Sequence, residues 1–137
     1  MKTLIRRELE LSASIIAAVD DDQVMAIADA LVGVFRSGNK VVLFGNGGSA
    51  ADAQHLAAEF SGRYLWDRPA LRAIAVTNVS AITAIGNDYS FEDVFERHVE
   101  GLVQNGDAVI AISTSGSSKN VLRAVRKAKQ LGALTIG

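Results

Sequence analysis

Val41-Val42-Leu43-Phe44-Gly45-Asn46-Gly47-Gly48-Ser49-Ala50-Ala51-Asp52-Ala53-Gln54-His55-Leu56-Ala57-Ala58-Glu59-Phe60 places a short apolar run before a glycine-rich turn and an alanine-rich segment. The apolar run reads as a buried strand, the glycines as a tight turn and the alanines as a helix. Strand, glycine turn and helix in that order make an anion site. Free N–H groups and the positive end of the helix point into one loop. His55 and Glu59 follow on the same helix at i and i+4, so they share a face. An anion cradle beside a His/Glu pair points to chemistry on a phosphorylated small molecule.

Outward from this stretch the rhythm is strand then helix. Strands are expected at Val41–Phe44, Ala73–Val76, Ala108–Ile112 and Leu134–Ile136, all continuously apolar, as strands buried on both faces should be. Between them the pattern predicts helices at Ser49–Phe60, a pair around Ser80–Ile85 and Phe91–Val103, and Ser118–Leu131. Val121, Leu122, Val125 and Ala128 are the expected core face of the last. The alternation predicts an α/β sandwich on a doubly wound parallel sheet with right-handed connections. Upstream, residues 1–38 read as a helical pair. Leu4, Ile5, Leu9, Leu11, Ile15 and Ile16 form a helical stripe. Asp20-Asp21-Asp22 start a second helix that runs to about Ser37 and stops at Gly38-Asn39. We therefore expect a single domain over 1–137, with helices at 1–38 and the sandwich at 39–137. The last strand ends at Gly137 with no helix after it, so a further strand and helix are expected to be missing.

Composition narrows the function. The chain is 49% hydrophobic and 21% charged, which is ordinary for a globular domain. A formal net charge of −1 gives no general electrostatic case for nucleic acid or an anionic membrane as partner. There is no cysteine, which excludes thiol catalysis and favours a cytoplasmic home.

Gly45, Gly47 and Ala50 also fit the dinucleotide fingerprint G-x-G-x-x-A. That fingerprint wants an acidic residue after the next strand, and here the strand runs into Val76-Thr77-Asn78. No lysine follows the glycines, so the Walker pattern fails as well. A second loop, Ser113-Thr114-Ser115-Gly116-Ser117-Ser118, follows a strand and precedes a helix. Its hydroxyls and backbone donors suit a phosphate monoester or sugar hydroxyls, and Ser118 suits a helix N-cap. His55 and Glu59 read either as two ligands of a zinc-type centre or as a pair in which a buried Glu59 is a general base. Asp52 complements the helix dipole. Asn87-Asp88 read as turn residues before a helix start at Ser90-Phe91-Glu92-Asp93. His98 is expected on a solvated helix face, and Trp66 and Pro69 are expected to fix a loop.

These motifs together resemble the phosphoheptose isomerase branch of the sugar-isomerase (SIS) domain superfamily. The resemblance is carried by Gly45-Asn46-Gly47-Gly48-Ser49, the Asp-Ala-x-His-x-x-x-Glu-Phe run at 52–60, and Gly62-Arg63-Tyr64. Arg68-Pro69, Thr83-Ala84 with Asn87-Asp88, and Gly106-Asp107 leading to Ile112-Ser113-Thr114-Ser115-Gly116 extend it over essentially the whole chain. It implies a flavodoxin-like SIS sandwich and an aldose–ketose isomerisation. Sedoheptulose 7-phosphate becomes D-glycero-D-manno-heptose 7-phosphate, a precursor of bacterial surface heptoses such as those of lipopolysaccharide. It implies substrate contacts at Asn46, Gly47, Gly48, Ser49, Glu59, Asn87, Asp88, Ser113, Thr114, Ser115 and Ser118, with the serine loop holding the phosphate. Glu59 matches the catalytic carboxylate, and His55 with Glu59 match zinc ligands. The resemblance further implies a homotetramer with sites at subunit contacts.

The chain departs from the family pattern at three places. Asn78 stands where aspartate is frequent, and Ser117 where asparagine is common. The family's C-terminal glutamine and histidine, which complete the metal site and supply the partner acid/base, have no counterpart here. These residues alone are therefore expected to isomerise poorly. Two other readings compete. A non-catalytic SIS sugar-phosphate sensor or replication-initiator-binding adaptor is disfavoured because such relatives tend to lack the His/Glu pair. A dinucleotide-binding module is disfavoured by the missing ribose carboxylate.

Overall fold

The computed structural model describes residues 1–137 and resolves into two compact units, Met1–Ala30 and Leu31–Gly137. The first unit holds helix α1 (Lys2–Ala17) and most of α2 (Asp21–Arg36). Asp20 starts α2: its Oδ1 accepts the N–H groups of Asp22 and Gln23 at 3.0 and 3.2 Å. No residue of α1 is buried, and the stripe Leu4, Ile5, Leu9, Leu11, Ile15 and Ile16 faces solvent throughout. No helix of the chain is long and apolar enough to cross a membrane.

The second unit is the α/β sandwich. Strands β1 (Val41–Gly45), β2 (Ala73–Ala75), β3 (Ala108–Ile112) and β4 (Leu134–Ile136) form one parallel sheet in the order β2-β1-β3-β4. Helix α3 (Gly48–Ser61) links β1 to β2, and α6 (Lys119–Gln130) links β3 to β4. Helix α4 (Val79–Asp88), a single 3₁₀ turn at Phe91–Asp93 and α5 (Val94–Leu102) carry the chain from β2 back to β3. The step from β1 to β2 runs one way along the sheet, and the later steps run the other way. Crossovers of one hand then put α3 on one face and α4, α5 and α6 on the opposite face.

The strand side chains alternate to match. Val41, Leu43 and Ala108 join Ala53 and Ala57 of α3 and Val34 of α2 in one core. Val42, Phe44, Val109 and Ala111 join Val94, Phe95, Val99, Val121, Ala124 and Ala128 in the other. Phe44 stacks on Phe95 with centroids 5.3 Å apart. Each large side chain buried this way contributes roughly 1.5–3 kcal/mol. The core face of α6 differs from expectation: Leu122 is exposed, whereas Asn120 and Ala124 are buried. A further run of charge joins the rim of α6 to the 3₁₀ turn and α5, where Arg123 meets Asp93 at 2.9 Å and Glu96 at 3.4 Å.

One polar clip holds the amino ends of the central strands. Asp107, 2% exposed, accepts the Lys40 ammonium at 2.5 Å and the N–H groups of Lys40 and Gln104 at 3.0 and 2.8 Å. Burial alone would raise its pKa. The hydrogen bonds from the Lys40 side chain and from both backbone amides, with the lysine charge, outweigh burial and hold it below its ordinary value.

Two helix boundaries differ from the sequence reading. Helix α4 runs on to Asp88, so Asn87 and Asp88 sit in its last turn rather than in a free turn. The segment after it is a 3₁₀ turn followed by a shorter helix, and Ser90 Oγ donates to Asp93 Oδ2 at 2.5 Å across that turn.

Candidate functional site

Strands β1 and β3 are neighbours whose connections leave in opposite directions. Their carboxyl ends therefore form the switch point of the sheet, where open α/β sheets bind ligands. Gly45 is in register with Ile112, so the glycine loop and the serine loop start side by side.

The glycine loop is shaped by close packing. A Cβ on Gly45 would lie 2.6 Å from the Ile112 carbonyl oxygen and 2.6 Å from Ser49 Cβ, so only glycine fits there. Gly47 has φ +56° and turns the chain into α3. The Ser49 N–H donates to the Asn46 carbonyl, and those of Ala50 and Ala51 donate to Gly47. Gly47 and Gly48 are exposed at the helix start. Ser49 is buried in the first turn of α3. Asn46, Gly47, Ala50, Gln54, Thr77 and Phe91 line part of a hollow of about 370 Å³.

The serine loop turns at Gly116, with its N–H donating to the Ser113 carbonyl at 3.2 Å. The Ser113 hydroxyl lies 3.1 Å from that of Ser118 and 3.4 Å from that of Ser115. Ser117 donates through both N–H and hydroxyl to Ser115 Oγ. Ser118 occupies the N-cap position of α6, as expected, but its side chain bonds Ser113 instead of a helix amide. The hydroxyls thus converge at a helix start, which is a neutral cradle for an anion. Ser113 and Thr114 line a second hollow of about 550 Å³.

Asn120, in the first turn of α6, ties the glycine loop to that helix, and the sequence reading missed it. Asn46 Nδ2 donates to Asn120 Oδ1, and Asn120 Nδ2 donates back to Asn46 Oδ1, both at 3.0 Å. Asn120 Oδ1 also accepts the Val121 N–H at 2.9 Å. A buried amide at 4% exposure needs such partners. A signal was available, since asparagine is a poor helix former placed on the apolar face of α6.

His55 and Glu59 do share a face of α3, with Nε2 and Oε1 3.9 Å apart. Their side chains are 74% and 34% exposed, so the burial invoked for a base at Glu59 is only partial. They line a third hollow of about 390 Å³ with Leu56, Phe60, Tyr64 and Arg68. No third histidine, cysteine or carboxylate joins them in a group able to hold a metal. The two donors therefore supply half of a tetrahedral zinc set at most. Asn87 Nδ2 donates to Asp88 Oδ1 at 2.9 Å, and both residues are exposed. They line none of these three hollows.

The loop after α3 is fastened by Arg68, not by Trp66, which is 79% exposed. The Arg68 guanidinium donates to the carbonyls of Phe60 at 2.9 Å and Glu59 at 2.8 Å. It satisfies the open carbonyl end of the helix that carries Glu59. Asn78 caps α4, accepting the Ala81 N–H at 3.1 Å. His98 is half-buried rather than solvated. Its Nδ1 lies 2.6 Å from the Val94 carbonyl, so Nδ1 carries the proton.

The family model for the SIS domain matches residues 7–137. A phosphoheptose isomerase of Aquifex aeolicus is 48% identical over 137 residues, covering 99% of this chain and 71% of that protein. The chain belongs to the phosphoheptose isomerase family of SIS domains. A Bradyrhizobium relative of the same name (strain ORS 278) is 59% identical over 112 residues, 81% of this chain. This SIS chain spans 57% of that relative's length, and the match to a second Bradyrhizobium relative (strain BTAi1) spans 66%. Among solved structures, the phosphoheptose isomerase of Francisella tularensis superposes with TM-score 0.87 at 34% identity, covering 98% of this chain and 74% of that one. That of Neisseria gonorrhoeae gives 0.83 at 37% identity, with coverage of 97% and 72%. The parallel SIS sandwich read from the sequence is thus the fold of the family.

Proposed function

We propose that this chain carries the sugar-phosphate half of an aldose–ketose isomerase acting on sedoheptulose 7-phosphate in heptose biosynthesis. The observation that supports it most is the pair of anion-accepting loops side by side at the switch point, in a chain whose relatives are named phosphoheptose isomerases. The serine loop takes the phosphate through Ser113, Thr114, Ser115 and Ser118. Asn46, Gly47 and Gly48 take sugar oxygens, with Ser49 buried in the first turn of α3. Asn87 and Asp88 complete the contacts to the open-chain sugar.

Glu59 removes a proton from C1 of the ketose. The C–H electron pair forms the C1–C2 double bond, and the carbonyl pair moves onto the C2 oxygen, giving an enediolate that takes a proton from solvent on that oxygen to become the enediol. Loss of the O1 proton to solvent re-forms the carbonyl at C1 while the C1–C2 double-bond pair takes the proton held by Glu59 at C2, which gives the aldose. Phosphate binding far from these carbons orients them. His55 and Glu59 would hold a zinc ion together with donors beyond these two side chains. When bound, zinc would polarise the substrate oxygens as a Lewis acid.

The hollows holding the glycine loop, the serine loop and the His/Glu pair are separate within one chain. The solvent-facing stripe of α1 adds an apolar surface. Both support a homotetramer whose sites form between subunits. A phosphorylated substrate, which does not cross membranes unaided, supports a cytoplasmic location.

Incubation of the protein with sedoheptulose 7-phosphate in deuterated water tests the reading. NMR is expected to show binding of the sugar phosphate and, at the slow rate expected of these residues alone, deuterium appearing at C2 of a new aldose. Neither binding nor exchange, at protein concentrations that support the oligomer, would overturn it.

A further inference from the structure

We propose that Asn120 is a positioning residue for the sugar end of the site. It acts through Asn46, while the phosphate loop works without it. This inference rests on the functional reading above, and three observations carry it.

The first is the amide pair itself, with two reciprocal 3.0 Å bonds between side chains 74 residues apart. Each amide spends one donor and one acceptor on the other. Asn46 therefore keeps one N–H and one lone pair for a sugar hydroxyl, aimed in a direction that Asn120 sets. The second is burial. Asn120 is 4% exposed on the core side of α6, so it touches no ligand itself. Its Oδ1 is anchored by the Val121 N–H, which makes it a rigid support and not a second mobile amide. The third is the loop that Asn46 belongs to. Gly45 is wedged between the Ile112 carbonyl and Ser49, and the Asn46 carbonyl accepts the Ser49 N–H. With the backbone held on both sides, the Asn46 side chain is the remaining freedom, and Asn120 removes it. The serine hydroxyls bond among themselves and share no hydrogen bond with Asn120.

The test is a double-mutant cycle read by two ligands. Asn120→Ser keeps an acceptor near the Val121 N–H but is too short to reach Asn46. Titration calorimetry on the full chain compares sedoheptulose 7-phosphate with inorganic phosphate for wild type, Asn120→Ser, Asn46→Ala and the double variant. The expected result is a loss of roughly five- to tenfold in sugar-phosphate affinity for Asn120→Ser, the scale of one hydrogen bond. Inorganic phosphate affinity should stay within about twofold, because the serine-loop hydroxyls share no hydrogen bond with Asn120. Asn120→Ser should add nothing in the Asn46→Ala background.

Unchanged sugar-phosphate affinity overturns the proposal. So does an equal loss for both ligands, which marks a merely structural residue, or a further loss in the Asn46→Ala background. Should Asn120→Ser fail to fold, Asn120→Thr carries the same comparison with more volume retained. A wild-type chain that binds no sugar phosphate overturns the functional reading together with this inference. Wild-type binding that is insensitive to Asn120 overturns the inference alone.

Discussion

The Lys40 ammonium and the Asp107 carboxylate meet at 2.5 Å where β1 and β3 begin, with Asp107 98% removed from solvent on its 2% exposure. Removing the carboxylate leaves a half-buried cation and two backbone N–H groups without their acceptor. Asp107→Ala is expected to cost about 3–5 kcal/mol, the range for breaking one side of a buried pair. Urea unfolding at neutral pH measures it, and a change below 1 kcal/mol on that scale would show the pair to be incidental.

The same carboxylate sets an acid limit. Its folded pKa lies below the ordinary value of 3.8, so the folded state holds its proton less tightly than the unfolded chain does. Its contribution is complete above the unfolded value and is lost as pH falls through the folded value. Stability should therefore decline below about pH 4, more steeply in wild type than in Asp107→Asn. Parallel pH profiles for the two proteins between neutrality and acid would contradict this.

Gly45→Ala should damage fold and site together. The new methyl meets a backbone carbonyl and the Cβ of Ser49, and neither is the end of a flexible side chain. Overpacking of this kind costs about 1–3 kcal/mol. Thermal unfolding should fall accordingly, and the sugar phosphate should bind more weakly in the folded fraction. Full affinity in this variant would mean that the glycine loop does not contact the ligand.

Glu59→Gln separates binding from chemistry. On the proposed mechanism it should lower isomerase turnover about 10²–10⁴-fold, the usual contribution of a general base. Sedoheptulose 7-phosphate affinity should change little, because the amide keeps the shape. Turnover within a factor of about ten of wild type would move the base elsewhere.

Arg68→Ala should free the loop after α3. The lost guanidinium leaves the Phe60 and Glu59 carbonyls without their donor, at a cost of about 1–2 kcal/mol. Limited proteolysis should then cut between residues 62 and 70 first. Arg68→Lys should rescue only partly, because one ammonium cannot copy the two-pronged contact.

Much of the sandwich could be read directly from the chain. The runs 41–44 and 108–112 are apolar without interruption and form central strands as read, whereas the edge strand 134–136 pairs as read but carries Thr135 and leaves Leu134 exposed. The two polar loops could be placed because each follows such a strand. What escaped notice depends on distance in the chain. Asn120 looks like an ordinary polar residue of a helix until Asn46, 74 positions away, is brought against it. Leu122 looked like core because apolar character was counted, whereas its angle on α6 turns it outward while Asn120 turns inward. Trp66 drew attention by size, yet the loop is held by the donors of Arg68.

The two ends of β1 are each tied to a distant residue, Lys40 to Asp107 before β3 and Asn46 to Asn120 in α6. A slip of one residue between β1 and β3 would undo both fastenings and reverse every side chain between them. The two loops therefore stand side by side only when β1 and β3 are in register. An unfolded or misregistered chain offers its ligand no partial site. Binding energy must then appear in full as resistance to unfolding, growing with the logarithm of ligand concentration. On the proposed function, a bound sugar phosphate would double as a reporter of correct strand alignment.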